Sequence, residues 1–417
     1  MRFWRLDMVW VKSGGISSLF GVPMKALFET IMVLAFWFVG SSASAYAQST
    51  SKIFLNDADR ARYNENVVGL VTGSPGGKYM PLGADMARVF DERGRRGLRI
   101  VVSVGYGSVQ NIDDLLNLKG IDLAIVQADV LDAFRRDPST YEQLRRKMRY
   151  LTRLHREEIH ILARGRVPNL AALDRKRISV GLPGSGTRIT ARLLFERIGI
   201  KPIESETGPD EARAQLIAGE IDAMVFVVGR GAAQFKSISG AQSMEAHLNF
   251  VPFGSGEADA APYEASVLSS EDYPSLIAPG SSVAVGAVPS VLAVFAWEPN
   301  QPRYKPVRQF AEHLFGRIGD LVRRPGTERG LWCQVDLAAP VAGWERFSVA
   351  TEWLARNRER PTRVCDETAD RDRACYEAFL RDPAPGIRIE DPTSPVAATL
   401  YASWRKGHAE CPPSLLP

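Results

Sequence analysis

The sequence has no cysteine before Cys333, no C-x-x-C pair, and only five histidines, scattered at His155, His160, His247, His313 and His408. This excludes the usual zinc spacings. It also leaves no carboxylate-partnered histidine for a serine-based triad, and no G-x-S-x-G elbow is present. Charge of one sign is scarce. The net formal charge is +4 over 417 residues, too weak a surplus for nucleic-acid binding. The basic run Arg145, Arg146, Lys147 and Arg149 reads as a solvated helix face. Long apolar runs are missing too. The stretch Thr30–Val39 is about half of the roughly 20 residues a bilayer crossing needs.

What is present is an ordinary globular composition, 45% hydrophobic and 24% charged, in a chain longer than one core usually serves, so two lobes are expected. At the N-terminus, Met24-Lys25, the apolar run and the small-residue segment Gly40–Ala47 read as a signal peptide over residues 1–47. Export to the periplasm follows, with an uncleaved anchor as the alternative. Met24 is a second candidate start. In an oxidising compartment the four cysteines, Cys333, Cys365, Cys375 and Cys411, predict two disulfides. Three pairings are open. Cys365 with Cys375 would close a short loop and leave Cys333 with Cys411.

From Val67 the pattern alternates apolar runs with amphipathic stretches, the grammar of an α/β architecture. Strand Val67–Val71, loop Thr72–Tyr79 and a helix over 80–92 form the first unit. Strand 98–104, helix 109–118 and strand 123–126 continue it. After an apolar strand at Ile159–Ala163 the grammar repeats: strand 178–180, loop Gly181–Thr187, helix 188–198, helix 211–218, strand 221–228. The run Val288–Trp297 and a helix over 307–321 return the chain to the first lobe, giving two crossings and a hinge. The expected division is lobe 1 over 65–163 and 287–322, lobe 2 over 164–286, and a helical, Cys- and Trp-rich C-terminal extension over 323–417.

Pro183-Gly184-Ser185-Gly186-Thr187 ahead of a helix is the strongest local signal. Glycines let backbone N–H groups converge, hydroxyls add donors and the helix N-terminus adds partial positive charge, which together suit a carboxylate or phosphate. An ordinary N-cap explains the same residues. Gly73 and Gly77 enclose three residues rather than the four of a phosphate-binding G-x-x-x-x-G-K-[ST] loop, and Tyr79 follows Lys78 where Ser or Thr is needed. Gly105-Tyr106-Gly107-Ser108-Val109-Gln110 starts like a dinucleotide fingerprint but ends in Gln110. No cofactor is expected. Asp122, Asp129 and Asp222 at strand ends admit acid–base or metal roles, but turns and caps explain them as well.

Taken together, Val68–Tyr79, Gly107–Asn111, Asp122–Asp129, Val180–Thr187 and Gly219–Ala223 resemble the TAXI-type solute receptors of TRAP transporters in order and spacing, over roughly Val67 to Gly316. The resemblance implies a type II periplasmic-binding-protein fold without enzymatic activity. It also implies a small carboxylate or amino-acid ligand, glutamate-like or a dicarboxylate, and delivery to a membrane permease. Carried onto this chain, it puts Gly73, Ser74, Gly77 and Tyr79 on one side of a cleft, with Ser108, Asn111 and Gln127 nearby. Ser185, Gly186 and Thr187 face them, Tyr79 as an aromatic wall and Gln127 as a polar contact. Arg230-Gly231 departs from the family pattern, and Arg230 is expected at the cleft as a bidentate carboxylate partner. The extension also departs from it. A ligand-sensing or assembly protein built on the same fold, without a transporter, is the alternative.

Overall fold

The computed structural model describes residues 55–92, 97–254, 257 and 263–365, and in the tail 375, 379–380, 389 and 395–405. The expected signal peptide and Cys411 lie outside the described residues. The chain divides into units 1–62 and 63–417. Of the first, the start of a polar helix, Asp57–Asn64, is described, and that helix buries none of its residues. The second carries everything below.

Among the described residues, ten strands form one sheet in the order β2-β1-β3-β10-β4-β7-β5-β6, with β8 (Leu248–Phe250) added to β4 and β9 (Glu264–Ser269) to β10. In lobe 1, β1 (Val67–Val71) lies parallel between β2 (Arg99–Ser103) and β3 (Leu123–Gln127). In lobe 2, β5 (Arg177–Ser179) lies parallel between β6 (Ile203–Ser205) and β7 (Ala223–Val228). Helices follow these strands, as parallel pairing requires a crossover: Tyr79–Phe90 after β1, Ser108–Asn117 after β2 and Gly186–Ile198 after β5.

Two long strands join the lobes. β4 runs over 17 residues, Met148–Arg164, and β10 over 14, Ser282–Phe295. They pair antiparallel with each other, β10 also with β3 and β4 also with β7. Two α/β lobes around two crossing strands make a type II periplasmic-binding-protein fold. The apolar segment Ile159–Ala163 predicts only the last part of β4. The earlier part carries Arg149, Arg153, Arg156, Glu157 and Glu158, and it is a strand because pairing with β10 satisfies its backbone regardless of side-chain polarity.

Each lobe has its own core. Lobe 2 gathers Leu194, Phe195, Met224, Phe235 and Tyr273. Lobe 1 gathers Leu70, Met86, Phe90, Phe310 and Trp332. Trp332, fully buried, belongs to the segment expected as an extension. It donates its indole N–H to Asp85 at 2.9 Å, and the Glu328 amide donates to the same carboxylate oxygen at 2.7 Å. Val335, Leu337, Phe347 and Val349 complete this packing. The early part of the segment is therefore core of lobe 1.

Cys333 is bonded to Cys365, and Cys375 is also disulfide-bonded. Of the three open pairings, the short Cys365–Cys375 loop is thereby excluded. The reason lies in packing. The helix Arg329–Trp332 is anchored by Trp332, and Cys365 lies in the same lobe 1 core, so these two sulfurs meet.

Candidate functional site

Loop Thr72–Tyr79 leaves the carboxyl end of β1 and is held from behind. The Thr72 hydroxyl donates to the Ser103 carbonyl of β2 at 2.8 Å, and the Gly77 amide closes a turn onto the Ser74 carbonyl at 3.0 Å. Asn111 donates both its amide hydrogens, to the carbonyls of Thr72 and Ile125, each at 2.7 Å. Its side chain thus sets the loop against β3 and does not border the cavity beneath.

On lobe 2, Ser185 caps the helix Gly186–Ile198. Its hydroxyl oxygen accepts from the Arg188 amide at 3.2 Å and its hydrogen goes to the Leu182 carbonyl at 2.7 Å. The Thr187 hydroxyl oxygen accepts from the Val227 amide at 3.2 Å. Capping thus occupies much of what the two hydroxyls offer. What remains for a ligand is the amides of Gly186 and Thr187, ahead of the first intrahelical bond, and the positive end of a 13-residue helix.

Between the loops lies a cavity of about 100 Å³. Gly73, Ser74, Gly77 and Tyr79 border it from one side, with Ser108 and Gln127, and Ser185, Gly186 and Thr187 from the other. The lobes meet across it: the amides of Val109 and Gln110 both donate to the Gly184 carbonyl at 3.1 Å. Gln127 takes a contact position with its Oε1 buried and without a hydrogen-bond partner.

Arg230 lies elsewhere. Its Nε stands 3.4 Å from Glu158 Oε1, its amide donates to Glu158 Oε2 at 3.0 Å, and its side chain borders a different cavity. The turn after β7 is fixed by Glu158, so the guanidinium is directed away from the cleft.

Sequence reasoning passed over Lys78, Tyr106, Glu157, Thr207 and Phe226, which also line the cavity. Glu157 has one visible signal, a pair of acids running directly into an apolar strand. Buried on the wall, it accepts from the Tyr79 hydroxyl at 2.5 Å. Burial pushes its carboxyl well above the usual carboxylate range, with Asp129 and Glu158 adding to the rise against the Tyr79 hydrogen bond. His155 is neutral, because burial and then the Lys78 charge lower it to about 3. Lys78, 3.4 Å from Glu328, is the one cation on the cavity wall among the described residues.

The strand-end acids are structural. Asp122 accepts from the Gly69 amide at 2.9 Å, the Trp297 indole at 3.1 Å and Arg303 at 3.0 Å. Asp222 accepts from the amide and side chain of Arg177, each at 2.8 Å. His160 is held between the Glu158 carbonyl and the Tyr273 hydroxyl. No His/Cys/Asp/Glu cluster suited to a metal occurs among the described residues.

Asp129 joins the lobes. Buried after β3, it accepts from the Thr190 hydroxyl of lobe 2 at 2.6 Å and from the Tyr263 hydroxyl at 3.2 Å. Burial raises its carboxyl to about 6, against the pull of those two donors. A folded value above the unfolded one means that this group's contribution is fully present below the unfolded value, near 4, and is lost as pH rises through about 6. Asp129→Asn should therefore exceed wild type in stability above pH 6 by up to about 3 kcal/mol. The difference should shrink to nothing near pH 4, as read from urea unfolding between pH 4 and 7.5. Asp129 has no part in the shifts of His155 and His160 but adds to the rise of Glu157, so the difference reads Asp129 together with Glu157. An Asn variant less stable than wild type at pH 7.5 would contradict this.

Residues 70–274 match the NMT1-like family. Among solved structures, the chain is similar to the alkanesulfonate-binding protein SsuA from Xanthomonas axonopodis pv. citri bound to MOPS. The identity is 17%, over 76% of this chain and 92% of that one, with a TM-score of 0.37. It is similar to the periplasmic binding protein BugD at 13% identity, over 70% and 96% of the two chains, with a TM-score of 0.40. PhnD1 from Prochlorococcus marinus, in complex with methylphosphonate, matches at 9% identity over 60% and 85%, with a TM-score of 0.38.

Proposed function

Starting from a solute-binding protein of the periplasmic-binding-protein fold, we propose that the chain is an exported receptor that closes its lobes on a small carboxylate. The favoured class is glutamate-like amino acids. The receptor works by capture and closure, without chemistry, and hands the solute to a TRAP-type permease. The permease rests on the resemblance of the five sequence segments, and export on residues 1–47.

One observation carries the ligand class. Gly186 and Thr187, whose amides open the helix Gly186–Ile198, line the same cavity as Gln127, whose buried Oε1 has no partner. A carboxylate satisfies the amides, and an ammonium or amide N–H satisfies Oε1, whose burial without a partner costs about 1–3 kcal/mol. An α-amino acid brings both groups on one small molecule. The volume of about 100 Å³ is well below the roughly 300–1,000 Å³ of sites for drug-sized ligands.

A side-chain carboxylate has Lys78 to meet it. Arg230, facing Glu158, does not supply the second cation on which a dicarboxylate preference would rest. Lys78→Met should weaken acidic amino acids about tenfold or more, the scale of one charge-assisted hydrogen bond. Neutral amino acids should change less than about threefold. Titration calorimetry on both classes decides this, and an equal loss across the two classes would remove Lys78 as the reader of ligand charge.

A further inference from the structure

The hinge strand β4 carries two adjacent acids, Glu157 and Glu158, both buried, at 3% and 1% exposure. Successive side chains of a strand point to opposite faces, and here the two faces differ. Glu158 turns away from the cleft and is satisfied by protein. Arg230 Nε stands 3.4 Å from it, and the Ser266 hydroxyl and the Arg230 amide donate to it at 3.1 and 3.0 Å. Glu157 turns into the cleft, where it is the one acid lining the cavity among the described residues.

Glu157 has no counterpart to Arg230. Among the described residues the Tyr79 hydroxyl, at 2.5 Å, is the one donor to its carboxyl, and no cation is among the groups that shift it. Lys78, on the same cavity wall, lies 3.4 Å from Glu328 instead. A buried carboxylate without a cation is costly. An arriving ammonium supplies the missing charge and draws the carboxyl toward its ionised form. The Tyr79 hydroxyl that holds Glu157 is also hydrogen-bonded to the Ser108 side chain, and the Gln127 backbone amide donates to the Ser108 hydroxyl at 3.0 Å. Glu157, Tyr79, Ser108 and Gln127 thus form one connected polar wall, with the acid at one end and the unpartnered Gln127 Oε1 at the other.

We propose that Glu157 is the residue that makes the cleft require an amino group: its carboxylate takes the ligand's α-ammonium, and the receptor thereby separates α-amino acids from the same carbon skeleton without nitrogen. The inference rests on the reading of the cleft as an amino-acid site and adds to it the group that selects the amino function. Gln127 Oε1 is a neutral acceptor and serves an amide N–H or a hydroxyl as well as an ammonium, whereas a carboxylate discriminates by charge. Lys78 then meets the side-chain carboxylate of an acidic amino acid, Glu157 its ammonium, and the amides of Gly186 and Thr187 its α-carboxylate.

Titration calorimetry of the full chain with L-glutamate and with glutarate, which differ in the amino group alone, tests this. Wild type should bind L-glutamate at least about 30-fold more tightly than glutarate, the scale of one buried charge pair. Glu157→Gln keeps the side-chain volume and an oxygen for the Tyr79 hydroxyl. It should weaken L-glutamate by a similar factor and move glutarate less than about threefold, so that the preference collapses. Glu157→Asp, which restores the charge, should recover part of it. A merely structural role for Glu157 predicts instead an equal loss for both ligands in Glu157→Gln, and that result would overturn the inference while the solute reading stands. A wild type that binds the two compounds equally well would overturn it too, with no variant needed. Binding of neither compound by wild type strikes the solute reading itself, and this inference with it.

Discussion

Gly186→Val should reduce solute affinity by more than 100-fold, about 3 kcal/mol, while leaving the ligand-free protein about as stable as wild type. A Cβ at Gly186 would overlap Gln127 Oε1, lie 2.5 Å from its Cδ and stand 2.7 Å from Ser108 Oγ. Gln127 is buried, and its backbone amide donates to the Ser108 hydroxyl at 3.0 Å, so an added side chain must push the Gln127 side chain aside within a packed wall. Next to it, lobe meets lobe through backbone. Gly107, at φ 134°, would carry a Cβ 3.0 Å from Ser185 Cα. Added side-chain volume therefore holds the lobes apart and fills the place of the ligand carboxylate. The cost to the helix itself is small, because the residue is in its first turn and valine is a better helix former than glycine. Calorimetric titration and the unliganded midpoint together measure both halves of the expectation. Affinity within threefold of wild type would contradict it.

Trp332→Ala should cost about 3–5 kcal/mol of unfolding free energy, the usual range for a buried tryptophan reduced to alanine. The indole is fully buried in the lobe 1 core. Its removal leaves a cavity and takes from Asp85 one of its two donors among the described residues, leaving the Glu328 amide. Urea denaturation monitored by circular dichroism measures the loss. A change under about 1 kcal/mol would mean that the C-terminal segment is an appendage rather than part of the core.

The sequence showed the architecture where periodicity was strong. β1 occupies the expected Val67–Val71, and the glycine loops and their helices lie where the apolar runs end. The second crossing, Val288–Trp297, is most of β10. The first was mostly hidden, because β4 owes its length to pairing on both edges, and a residue such as Glu157 carries no strand signal of its own. The short strands β6 and β8, three residues each, were hidden for the same reason. In the cleft, nine of the eleven expected residues border one cavity. Asn111 and Arg230 do not, since each is occupied by a local partner that only the folded chain brings near: the Thr72 and Ile125 carbonyls for Asn111, Glu158 for Arg230. The cysteine pairing was undecidable by spacing because the burial of Trp332 chose it.

The central claim is that the loops Thr72–Tyr79 and Gly181–Thr187 close on a small amino-acid carboxylate. A thermal-shift screen of the wild-type chain against amino acids and organic acids tests it most directly. A ligand at 100 times its Kd should stabilise by about 2.7 kcal/mol, and the account predicts such a shift for α-amino carboxylates, largest for the glutamate class, and smaller shifts for acids lacking the amino group. A folded protein whose midpoint no amino acid or carboxylate moves would contradict it.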